Sequence, residues 1–289
     1  MLKTVWLTEQ QNMASGTAIL LGGFDGLHKG HRLLLERAKM SGLPIGIMTI
    51  SDGKEEKNLF TMQEREHIFQ KAGVDFVFEL PFAEIKALSA EEFLSLLINE
   101  FHPKLFVCGE DFRFGRGAAG TPSLLKQATQ VRVEILPLLE ENGKKISSGS
   151  IKTLLLNGEI ERVNEWLGER YFLTGVVEKD RQVGRTIGFP TANIRFSKDK
   201  HPIKIGVYET RITLDNKIYK GITNYGARPT FGDTNVWTET HIDGFSGDLY
   251  GKEITVEFVR FLRQIERFSN ADALKEQLQE DIRRIREND

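Results

Sequence analysis

The sequence predicts an α/β domain with a parallel sheet, followed by an antiparallel β domain that ends in one helix. Up to about residue 170, short apolar runs alternate with segments of helical periodicity, which is typical of parallel strands joined by crossover helices. After that point strand-like segments dominate, and the alternation in residues 207–212 favours an antiparallel sheet or small barrel. The final segment, from Asn270 to about Glu287, repeats apolar residues at helical spacing.

Four short apolar runs in the first part are predicted as buried strands, because such runs are typical of strands covered on both faces. They are residues 18–21, 44–50, 76–80 and 104–108. The segments between and after them carry apolar residues at the helical period. We predict helices there, at residues 32–40, 62–72, 90–101 and 121–129.

The second part is predicted to contain five strands, at residues 171–177, 206–213, 217–224, 237–242 and 253–261. Two short helices, residues 150–156 and 160–166, are predicted to bridge the two parts. We therefore predict two domains, residues 1–168 and 169–289. The closing helix places four apolar side chains on one face, namely Ala273, Leu274, Leu278 and Ile282.

The composition excludes several function classes. A chain of 289 residues with 40% hydrophobic and 28% charged residues is typical of a globular protein, and its net charge of −2 provides no basic excess for nucleic acid or an anionic membrane. The only cysteine, Cys108, excludes an internal disulfide and a cysteine-rich metal site. The first residues lack the features of a signal peptide, and no stretch approaches the ~20 apolar residues of a membrane span. We expect a cytoplasmic protein without membrane contact.

The first candidate site is the stretch GGFDGLHKGH, residues 22–31, between a predicted strand and a predicted helix. A glycine-rich turn in this place lets backbone N–H groups approach a phosphate, and the helix N-terminus adds partial positive charge. If the helix begins near Lys29, His28 and His31 can donate hydrogen bonds to one phosphate, and Gly30 leaves the space between them open. The spacing matches neither a Walker A motif nor G-x-G-x-x-G. Glycine content alone equally fits a tight turn with surface histidines.

A second candidate is the stretch ISSGSIK, residues 146–152. Ser147 or Ser148 can cap a helix that starts here, and Lys152 supplies positive charge. On its own this stretch fits an ordinary helix N-cap.

The four residues His28-Lys29-Gly30-His31 resemble the signature of the nucleotidyltransferase superfamily, which has a Rossmann-like parallel sheet. That superfamily transfers the α-phosphoryl group of a nucleotide and releases pyrophosphate, so the resemblance implies that His28 and His31 stabilise charge on the phosphates. It usually has a second phosphate-binding segment with serines and a basic residue at a helix start, as in ISSGSIK. The nucleotide-binding residues that the resemblance implies are Gly22, Phe24, Asp25, Gly26, Gly30, Ser147, Ser148 and Lys152.

Four segments, in order, resemble the N-terminal domain of the bacterial bifunctional riboflavin kinase/FAD synthetase family: GGFDGLHKGH, LFTMQEREHIFQKAGVDFVFEL, CGEDFRFGRGAAG and ISSGSIK. The resemblance implies an FMN adenylyltransferase, which joins the AMP of ATP to the phosphate of FMN. It also implies that residues 109–115 lie near nucleotide and flavin, with Asp111, Phe112 and Phe114 as flavin contacts. Without the resemblance, GEDFRFG predicts only a polar loop with aromatic residues after a strand.

Three departures from the family pattern concern this half of the chain. Gly23 stands where the family usually has Asn, and Lys152 stands where it more often has Arg, which loses the planar fork but keeps the charge. Residues 48–54, MTISDGK, lack the family's F-x-P-H-P segment. The transferase site is thus recognisable but altered, and a kinase with a silent transferase half is an alternative.

The β half contains another candidate site in residues 184–193, GRTIGFPTAN. Its glycines, proline and small polar residues predict a loop that binds a ligand. The Thr191 hydroxyl suits Mg²⁺, and the Asn193 amide suits metal or phosphate. A second polar loop follows at residues 224–231. Glu239 lies in an alternating strand, where a solvent-facing carboxylate is the ordinary interpretation.

The segments GRTIGFPTANI, NYGARPTFG, ETHIDGFSGDLYG and FLRQIERF resemble, in order, the riboflavin kinase half of the same family. The resemblance implies that Thr191 and Asn193 serve Mg-ATP and that Glu239 is the general base on the ribityl 5′-hydroxyl. Lys179 departs from the family, which commonly has glycine there in the flap over ATP. The remaining residues assigned by resemblance are Gly184 and Arg185 for the nucleotide and Asn224 for the flavin.

The sequence thus predicts an enzyme that makes FMN from riboflavin and FAD from FMN, with ATP as co-substrate, Mg²⁺ as cofactor and no nucleic-acid partner. We expect a monomer or weak homo-oligomer. One alternative is that only one half is active. An alternative of another class is a non-catalytic flavin sensor that contacts RNA or protein, although the near-neutral charge and the retained His28, His31 and Glu239 favour chemistry.

Overall fold

The computed structural model of the protein describes residues 3–6, 16–51, 57–179, 188–227 and 236–287. The chain divides into two compact units, Met1–Ser150 and Ile151–Asp289. This division lies in the first turn of the first bridging helix. The domain boundary predicted at residue 168 remains a prediction.

The first unit contains a six-stranded parallel sheet with the order β1-β4-β3-β2-β5-β6. Its strands are β1 (Lys3–Trp6), β2 (Thr17–Leu21), β3 (Ile45–Ser51), β4 (Phe76–Pro81), β5 (Pro103–Gly109) and β6 (Arg132–Leu136). The four predicted strands are confirmed as β2 to β5. The sequence did not predict β1 and β6, because β1 has only four residues and β6, RVEIL, mixes charged with apolar residues.

Helices cover this sheet and confirm the four predicted ones. They are α1 (Lys29–Lys39), α2 (Met62–Lys71), the short α3 (Phe82–Ile85), α4 (Ala90–Phe101) and α5 (Pro122–Ala128). Thr61 and Ser89 begin α2 and α4 with capping boxes, which explains where these helices start. A short hairpin and the two bridging helices follow, namely β7 (Glu140–Glu141), β8 (Lys144–Lys145), α6 (Ser148–Asn157) and α7 (Ile160–Leu167).

The strand order has a switch point between β2 and β5. The chain passes from β2 through β3 to β4 on one side and then places β5 on the other side of β2. Ligands of open parallel sheets bind at the carboxyl ends of the strands that flank such a point. β2 ends at Leu21, directly before residues 22–31, and β5 ends at Gly109, directly before the loop of Asp111. The fold therefore brings two of the candidate segments to one edge of the sheet.

The core of this unit includes a cluster between one sheet face and the helices α4 and α5. Phe78 and Phe106 from the strands pack there with Leu97 and Leu125 from the helices. Cys108 is fully buried in the same cluster, and burial raises the pKa of its thiol to about 12. Cys108 is therefore a core residue rather than a nucleophile.

The second unit contains a six-stranded antiparallel sheet with the order β10-β13-β12-β11-β14-β9. The strands are β9 (Phe172–Val176), β10 (Thr191–Arg195), β11 (Gly206–Leu214), β12 (Lys217–Ala227), β13 (Val236–Ile242) and β14 (Glu253–Arg263). The Glu178 N–H donates to the Asn193 carbonyl at 2.8 Å, which joins the chain after β9 to β10. The sheet is thus a nearly closed barrel, as predicted.

Strand β10 corrects the last part of the loop predicted at residues 184–193, because residues 191–193 belong to the strand, whereas residues 184–187 lie outside the described residues. Thr191 to Arg195 pair with β13 along the whole strand. Pro190 does not interrupt this pairing because it precedes the first paired residue, where its missing N–H removes no ladder hydrogen bond.

The barrel has a buried face and an outer face. On the buried face, Thr223 Oγ1 lies 2.9 Å from that of Thr210 and 2.8 Å from that of Thr240, and all three residues are fully buried. Because side chains alternate along a strand, Asn224 and Glu239 lie on the opposite, outer face.

The closing helix α8 (Ala271–Glu287) confirms the predicted C-terminal helix and packs on the outer face, where Ile282 and Ile285 contact Ile222 and Val207. Fully buried Asp281 accepts hydrogen bonds from Arg263 at 3.1, 3.1 and 2.8 Å, which attaches α8 to β14. In the described part of the chain, no helix is long and apolar enough to cross a membrane.

Two candidate active sites

The first site is centred on the start of α1, where the sequence predicted it. His28 is the N-cap residue, and its Nδ1 accepts a hydrogen bond from the His31 N–H at 3.2 Å. The two rings are stacked with centroids 3.7 Å apart. Nδ1 of His31 lies 2.8 Å from the carbonyl oxygen of Gly26. The HxGH spacing thus fixes both imidazoles by backbone hydrogen bonds at a helix N-terminus.

These hydrogen bonds assign different tautomers to the two neutral rings. His28 accepts at Nδ1, so its proton lies on Nε2, which can donate to a phosphate. A carbonyl oxygen only accepts, so His31 carries its proton on Nδ1, and its Nε2 has a lone pair. His28 can therefore donate to a phosphate while neutral, whereas His31 must first gain a proton.

Both imidazoles are neutral near pH 7 in this structure. Burial, together with the nearby His31 and Lys145, lowers the pKa of His28 to about 2. Burial also lowers the pKa of His31 to about 4, although its hydrogen bond to Gly26 and the charge of Asp111 oppose the shift. Fixed positive charge in this site therefore comes from lysines rather than from the histidines.

Contacts in and around the glycine-rich turn explain the positions of three of the implied nucleotide-binding residues. Phe24 is fully buried with its ring 4.4 Å from that of His31, so it supports that imidazole. Both Asp25 carboxylate oxygens accept from the Leu59 N–H at 2.9 Å, which holds the segment before α2 against the turn. A Cβ at Gly22 would lie 3.0 Å from the Phe24 ring.

Two glycines in this turn are required by geometry. Gly26 has φ +104°, and a Cβ there would lie 2.8 Å from the Phe60 ring. A Cβ at Gly30 would lie 3.2 Å from the His28 imidazole, which agrees with the expectation that glycine keeps this space open. A Cβ at Gly23, where the family usually has Asn, would meet nothing within 4 Å, so this departure removes a side chain from open space.

The loop after β5 contributes an exposed acid and two aromatic rings. Phe112 stacks on Phe114 with centroids 5.5 Å apart. Phe114 is 6% exposed and packs on Phe93, so its ring belongs to the core. Asp111 is exposed and forms an ion pair with Lys145. Asp111 and Phe112 are therefore the accessible members of the three implied flavin contacts.

Lys145 is a residue that the sequence analysis missed. It lies on β8 directly before ISSGSIK, and its charge acts on both His28 and His31. The side chains of Lys145 and Asp111 are 40% and 46% exposed, and an exposed pair of this kind contributes ~0–1 kcal/mol. An incoming polyphosphate can therefore take Lys145 from Asp111 at little cost.

The ISSGSIK segment forms the start of α6, as predicted. Ser147 is the capping residue of the two candidates, because its Oγ accepts from the Ser150 N–H at 3.2 Å. Ser148 is the first residue of α6, and Lys152 lies one turn further. The carbonyl of Ile146 would lie 3.9 Å from a Cβ at Gly30, so this segment lies beside the start of α1.

The second site is a row of polar residues across three strands of the barrel. Asn193 on β10 pairs in register with Glu239 on β13, and Glu239 pairs with Asn224 on β12. Residues in register on neighbouring strands share one face and lie ~4.5–5.5 Å apart at their Cβ atoms. Oδ1 of Asn224 is buried and has no hydrogen-bond partner among the described residues. The row thus places a carboxylate between two amides and provides one unused acceptor.

Thr191 lies on the same outer face, two residues before Asn193. Its register partner His241 has Nδ1 3.0 Å from the Pro190 carbonyl, so the imidazole holds the entry to β10. Gly184 and Arg185 lie outside the described residues. Of the altered segment 48–54, residues 48–51 end strand β3, and residues 52–54 lie outside the described residues.

Hard oxygen donors suit Mg²⁺ in the second site, where Thr191 provides a hydroxyl and Asn193 an amide oxygen. Among the described residues, no cluster of three or more His, Cys, Asp or Glu could hold a metal ion. Proteins usually bind Mg²⁺ through one or two of their own ligands, and phosphates and water complete its coordination. Thr191 and Asn193 therefore fit a Mg²⁺ site.

The first unit holds two stacked histidines at a helix start, and the barrel holds a carboxylate in a row of amides. Both arrangements fit a transferase that uses nucleotides. Residues 10–150 match the model of the FAD synthetase family, and residues 167–288 match that of the riboflavin kinase family. The chain therefore belongs to the bifunctional riboflavin kinase/FMN adenylyltransferase family, whose members are enzymes of flavin cofactor biosynthesis.

Individual relatives match over both units. A bifunctional riboflavin kinase/FMN adenylyltransferase from Haemophilus influenzae is 33% identical over 96% of this chain and 95% of its own length. The protein of the same name from Escherichia coli K12 is 32% identical over 94% of this chain and 92% of its own. A crystal structure described as a macrolide-efflux protein from Streptococcus pneumoniae is 29% identical with a TM-score of 0.88, covering 97% of both chains. The matches favour neither a single active half nor a non-catalytic sensor.

Proposed function

We propose that this chain phosphorylates riboflavin to FMN in its second unit and transfers AMP from ATP to FMN in its first unit. Membership of the family supports the two reactions. Their assignment to separate units rests on one observation, the difference in chemistry between the sites. Stacked imidazoles at a helix start suit phosphate charge, whereas a strand carboxylate between amides suits an alcohol proton.

In the first unit, a phosphate oxygen of FMN attacks the α-phosphorus of ATP. The bond from that phosphorus to the β-phosphate oxygen breaks, pyrophosphate leaves, and FAD is formed. His28 donates from Nε2 to the developing negative charge, and His31 does so once its Nε2 has gained a proton. Lys145 adds fixed charge after it leaves Asp111. Positioned charge of this kind supplies most of the catalysis of phosphoryl-group transfer.

The remaining groups of this site bind and orient the substrates. Gly22, Gly26 and Gly30 keep the turn compact, and Phe24 and Asp25 position it from beneath. Ser147, Ser148 and Lys152 at the start of α6 form the second phosphate-binding segment. Asp111 and Phe112 contact the flavin, with Phe114 behind them.

In the second unit, the ribityl 5′-hydroxyl of riboflavin gives its proton to the Glu239 carboxylate while its oxygen attacks the γ-phosphorus of ATP. The bond from that phosphorus to the β-phosphate oxygen breaks, and ADP leaves. Asn224 accepts a hydrogen bond from a ribityl hydroxyl through its unused Oδ1. Thr191 and Asn193 would hold Mg²⁺ and the phosphates, and Mg²⁺ held there would supply positive charge to the transferring group. Gly184 and Arg185 complete the nucleotide site.

The wider setting is also part of the proposal. The enzyme acts on small molecules in the cytoplasm, without nucleic-acid or membrane partners, as a monomer or weak homo-oligomer. Its net charge of −2 supports the lack of such partners. The catalytic domains are residues 1–168 and 169–289, and the family matches, which end at residue 150 and begin at residue 167, support this division.

A product assay tests the proposed function. The purified protein is incubated with Mg-ATP and riboflavin, and separately with Mg-ATP and FMN, and the flavins are separated by chromatography. We expect FMN and FAD from riboflavin, and FAD from FMN. Formation of FMN from riboflavin with no FAD from either substrate would contradict the transferase half, and the absence of both products would contradict the whole proposal.

A further inference from the structure

The short segment before strand β10 connects the closing helix to the second site. Phe189 is 8% exposed and belongs to one apolar cluster with Ile282 and Ile285 of α8. Thr191, the proposed ligand of Mg-ATP, follows two residues later as the first residue of β10. Because the two residues are so close in the chain, the packing of Phe189 on α8 also determines where Thr191 enters the sheet.

The imidazole of His241 fixes the residue between these two. Its Nδ1 lies 3.0 Å from the carbonyl oxygen of Pro190, and since a carbonyl oxygen only accepts, the imidazole donates. Phe189 packs edge-on against the same imidazole, with the ring centroids 5.2 Å apart. Pro190 has no N–H, so its backbone can be held by a hydrogen bond only through its carbonyl. His241 thus holds Phe189 and Pro190 directly opposite its own register partner, Thr191.

An ion pair from α8 reaches the end of the strand that carries His241. Arg286 donates from Nε and Nη2 to the two carboxylate oxygens of Asp243, both at 2.7 Å. These hydrogen bonds hold the pKa of the Asp243 carboxyl below its usual range, and the nearby His241 acts in the same direction. Lys220 on β12 donates from Nζ to the Ile285 carbonyl at 2.8 Å. The last turns of α8 are therefore attached both to β12 and to the residue that follows β13.

We infer that α8 positions the start of β10 for Mg-ATP, and that it does so through Phe189 and His241. The inference rests on the proposed kinase function and adds positioning residues to it. The helix provides the wall against which Phe189 packs, and the Arg286–Asp243 pair holds the end of β13 against the same helix. The imidazole then fixes the backbone before β10. The Thr191 hydroxyl is thereby held in place before the nucleotide arrives, which lowers the entropy cost of binding Mg-ATP.

Two substitutions of similar size test the donor at position 241. His241→Asn keeps an N–H donor on Cγ, where the imidazole has Nδ1, whereas His241→Leu keeps the bulk and removes the donor. Riboflavin phosphorylation is measured as the sum of FMN and FAD while Mg-ATP is varied. In His241→Leu we expect KM for Mg-ATP to rise about tenfold with a smaller change in kcat, because Thr191 binds Mg-ATP in both the ground and transition states. His241→Asn should stay within about twofold of the wild type, because its hydrogen bond is kept.

Two measurements without turnover separate positioning from a general loss of structure. Hydrogen exchange of the free protein, followed by mass spectrometry, should be faster at residues 188–195 in His241→Leu and unchanged in β11. The dissociation constant of riboflavin, measured from flavin fluorescence, should keep its wild-type value. Glu239 and Asn224 are partners in a different pair of the strand register, so the loss of the donor at position 241 leaves them in place.

Arg286→Gln tests the attachment of the helix. It removes the two hydrogen bonds to Asp243, and KM for Mg-ATP should rise several-fold, less than in His241→Leu, because the ion pair is partly exposed to solvent. The matched control is Arg283→Gln, because Arg283 is exposed on α8 and forms an ion pair with Glu280 of the same helix. It should leave KM for Mg-ATP unchanged.

Equal KM values for Mg-ATP in His241→Leu and His241→Asn would overturn the inference, because the donor would then play no part in nucleotide binding. Wild-type exchange at residues 188–195 in His241→Leu would overturn it as well. Both results are distinguishable from failure of the proposed function, since the wild-type protein would still form FMN from riboflavin. If the wild-type protein forms no FMN, the kinase assignment itself is wrong, whatever the exchange rates of the variants.

Discussion

The two sites of this chain are built in different ways. The first is local: His28, Gly30 and His31 are neighbours in sequence, and backbone hydrogen bonds within one turn fix both rings. The second is assembled by strand register, which brings Asn193 and Asn224 to either side of Glu239. The histidine pair of the first site thus depends on a single turn of the chain. A site on a sheet depends on the pairing of every strand that contributes to it.

The difference extends to electrostatics. The first site keeps its imidazoles neutral and holds its fixed charge on Lys145 in a weak, exposed pair with Asp111. The second presents a carboxylate and an unused amide oxygen on a rigid face. The first is therefore suited to respond to a polyanion, and the second to accept a proton from an alcohol. The predictions below separate the two sites, from the largest expected effect to the smallest.

Glu239→Gln removes the proton acceptor of the second site while keeping its shape. We expect kcat for riboflavin phosphorylation to fall by about 10³-fold, within the usual range for loss of a general base. FAD formation from FMN should stay at the wild-type rate, as measured by chromatography. The control is Glu253→Gln, an exposed glutamate on β14. Kinase turnover that survives in Glu239→Gln would show that another group takes the proton.

His31→Ala removes one of the two stacked imidazoles of the first site. FAD formation from FMN should fall by about 10²-fold or more, because one donor to the transition-state charge is lost. Riboflavin phosphorylation should not change. The exposed His67 on α2 provides the matched control, His67→Ala. An equal loss of both activities in His31→Ala would mean that the sites do not act separately.

Lys145→Ala removes the fixed charge that the sequence analysis missed. We expect KM for ATP in FAD formation to rise about tenfold, with a smaller effect on kcat, because phosphate binding loses one ion pair. Lys144→Ala, on the same hairpin, should leave KM unchanged. In Asp111→Asn, Lys145 no longer has a competing carboxylate, so KM for ATP should not rise. A raised KM for ATP in Asp111→Asn would contradict the exchange of Lys145 between Asp111 and phosphate.

Proton uptake is the smallest predicted effect. His31 is unprotonated at pH 7 because burial lowers its pKa to about 4, and a bound triphosphate raises that pKa again. The complex therefore holds more protons than the free protein, and ATP affinity at the first site should increase as the pH falls from 8 to 6. Calorimetry in buffers of different protonation enthalpy should detect a fraction of a proton taken up, and less in His31→Gln. Equal uptake in both proteins would assign the proton elsewhere.

The contrast between the sites also explains which parts of the molecule the sequence predicted. The parallel strands β2 to β5 and their helices were predictable because each buries an apolar run or stripe. β6 was missed because it is an edge strand with charged residues. β10 was predicted as a loop, since Pro190 and Asn193 are poor strand residues and only pairing with β13 makes a strand of this segment.

The candidate residues also differ in whether their role could be found from the local sequence. His28 and His31 were found from their spacing, and the structure added their tautomers and neutral state. Glu239 resembled any strand carboxylate until its register with Asn193 and Asn224 was known. Lys145 had no signal of its own, because its role depends on Asp111, which lies far away in sequence.

The central claim is that one chain carries two active sites that act separately. The most direct test mixes Glu239→Gln and His31→Ala in one reaction with riboflavin and Mg-ATP. Each variant alone should form FAD from riboflavin far more slowly than the mixture, because in the mixture the kinase of the second protein supplies FMN to the transferase of the first. FAD formed by either variant alone as fast as by the mixture, or no faster by the mixture while FMN accumulates, would contradict the account.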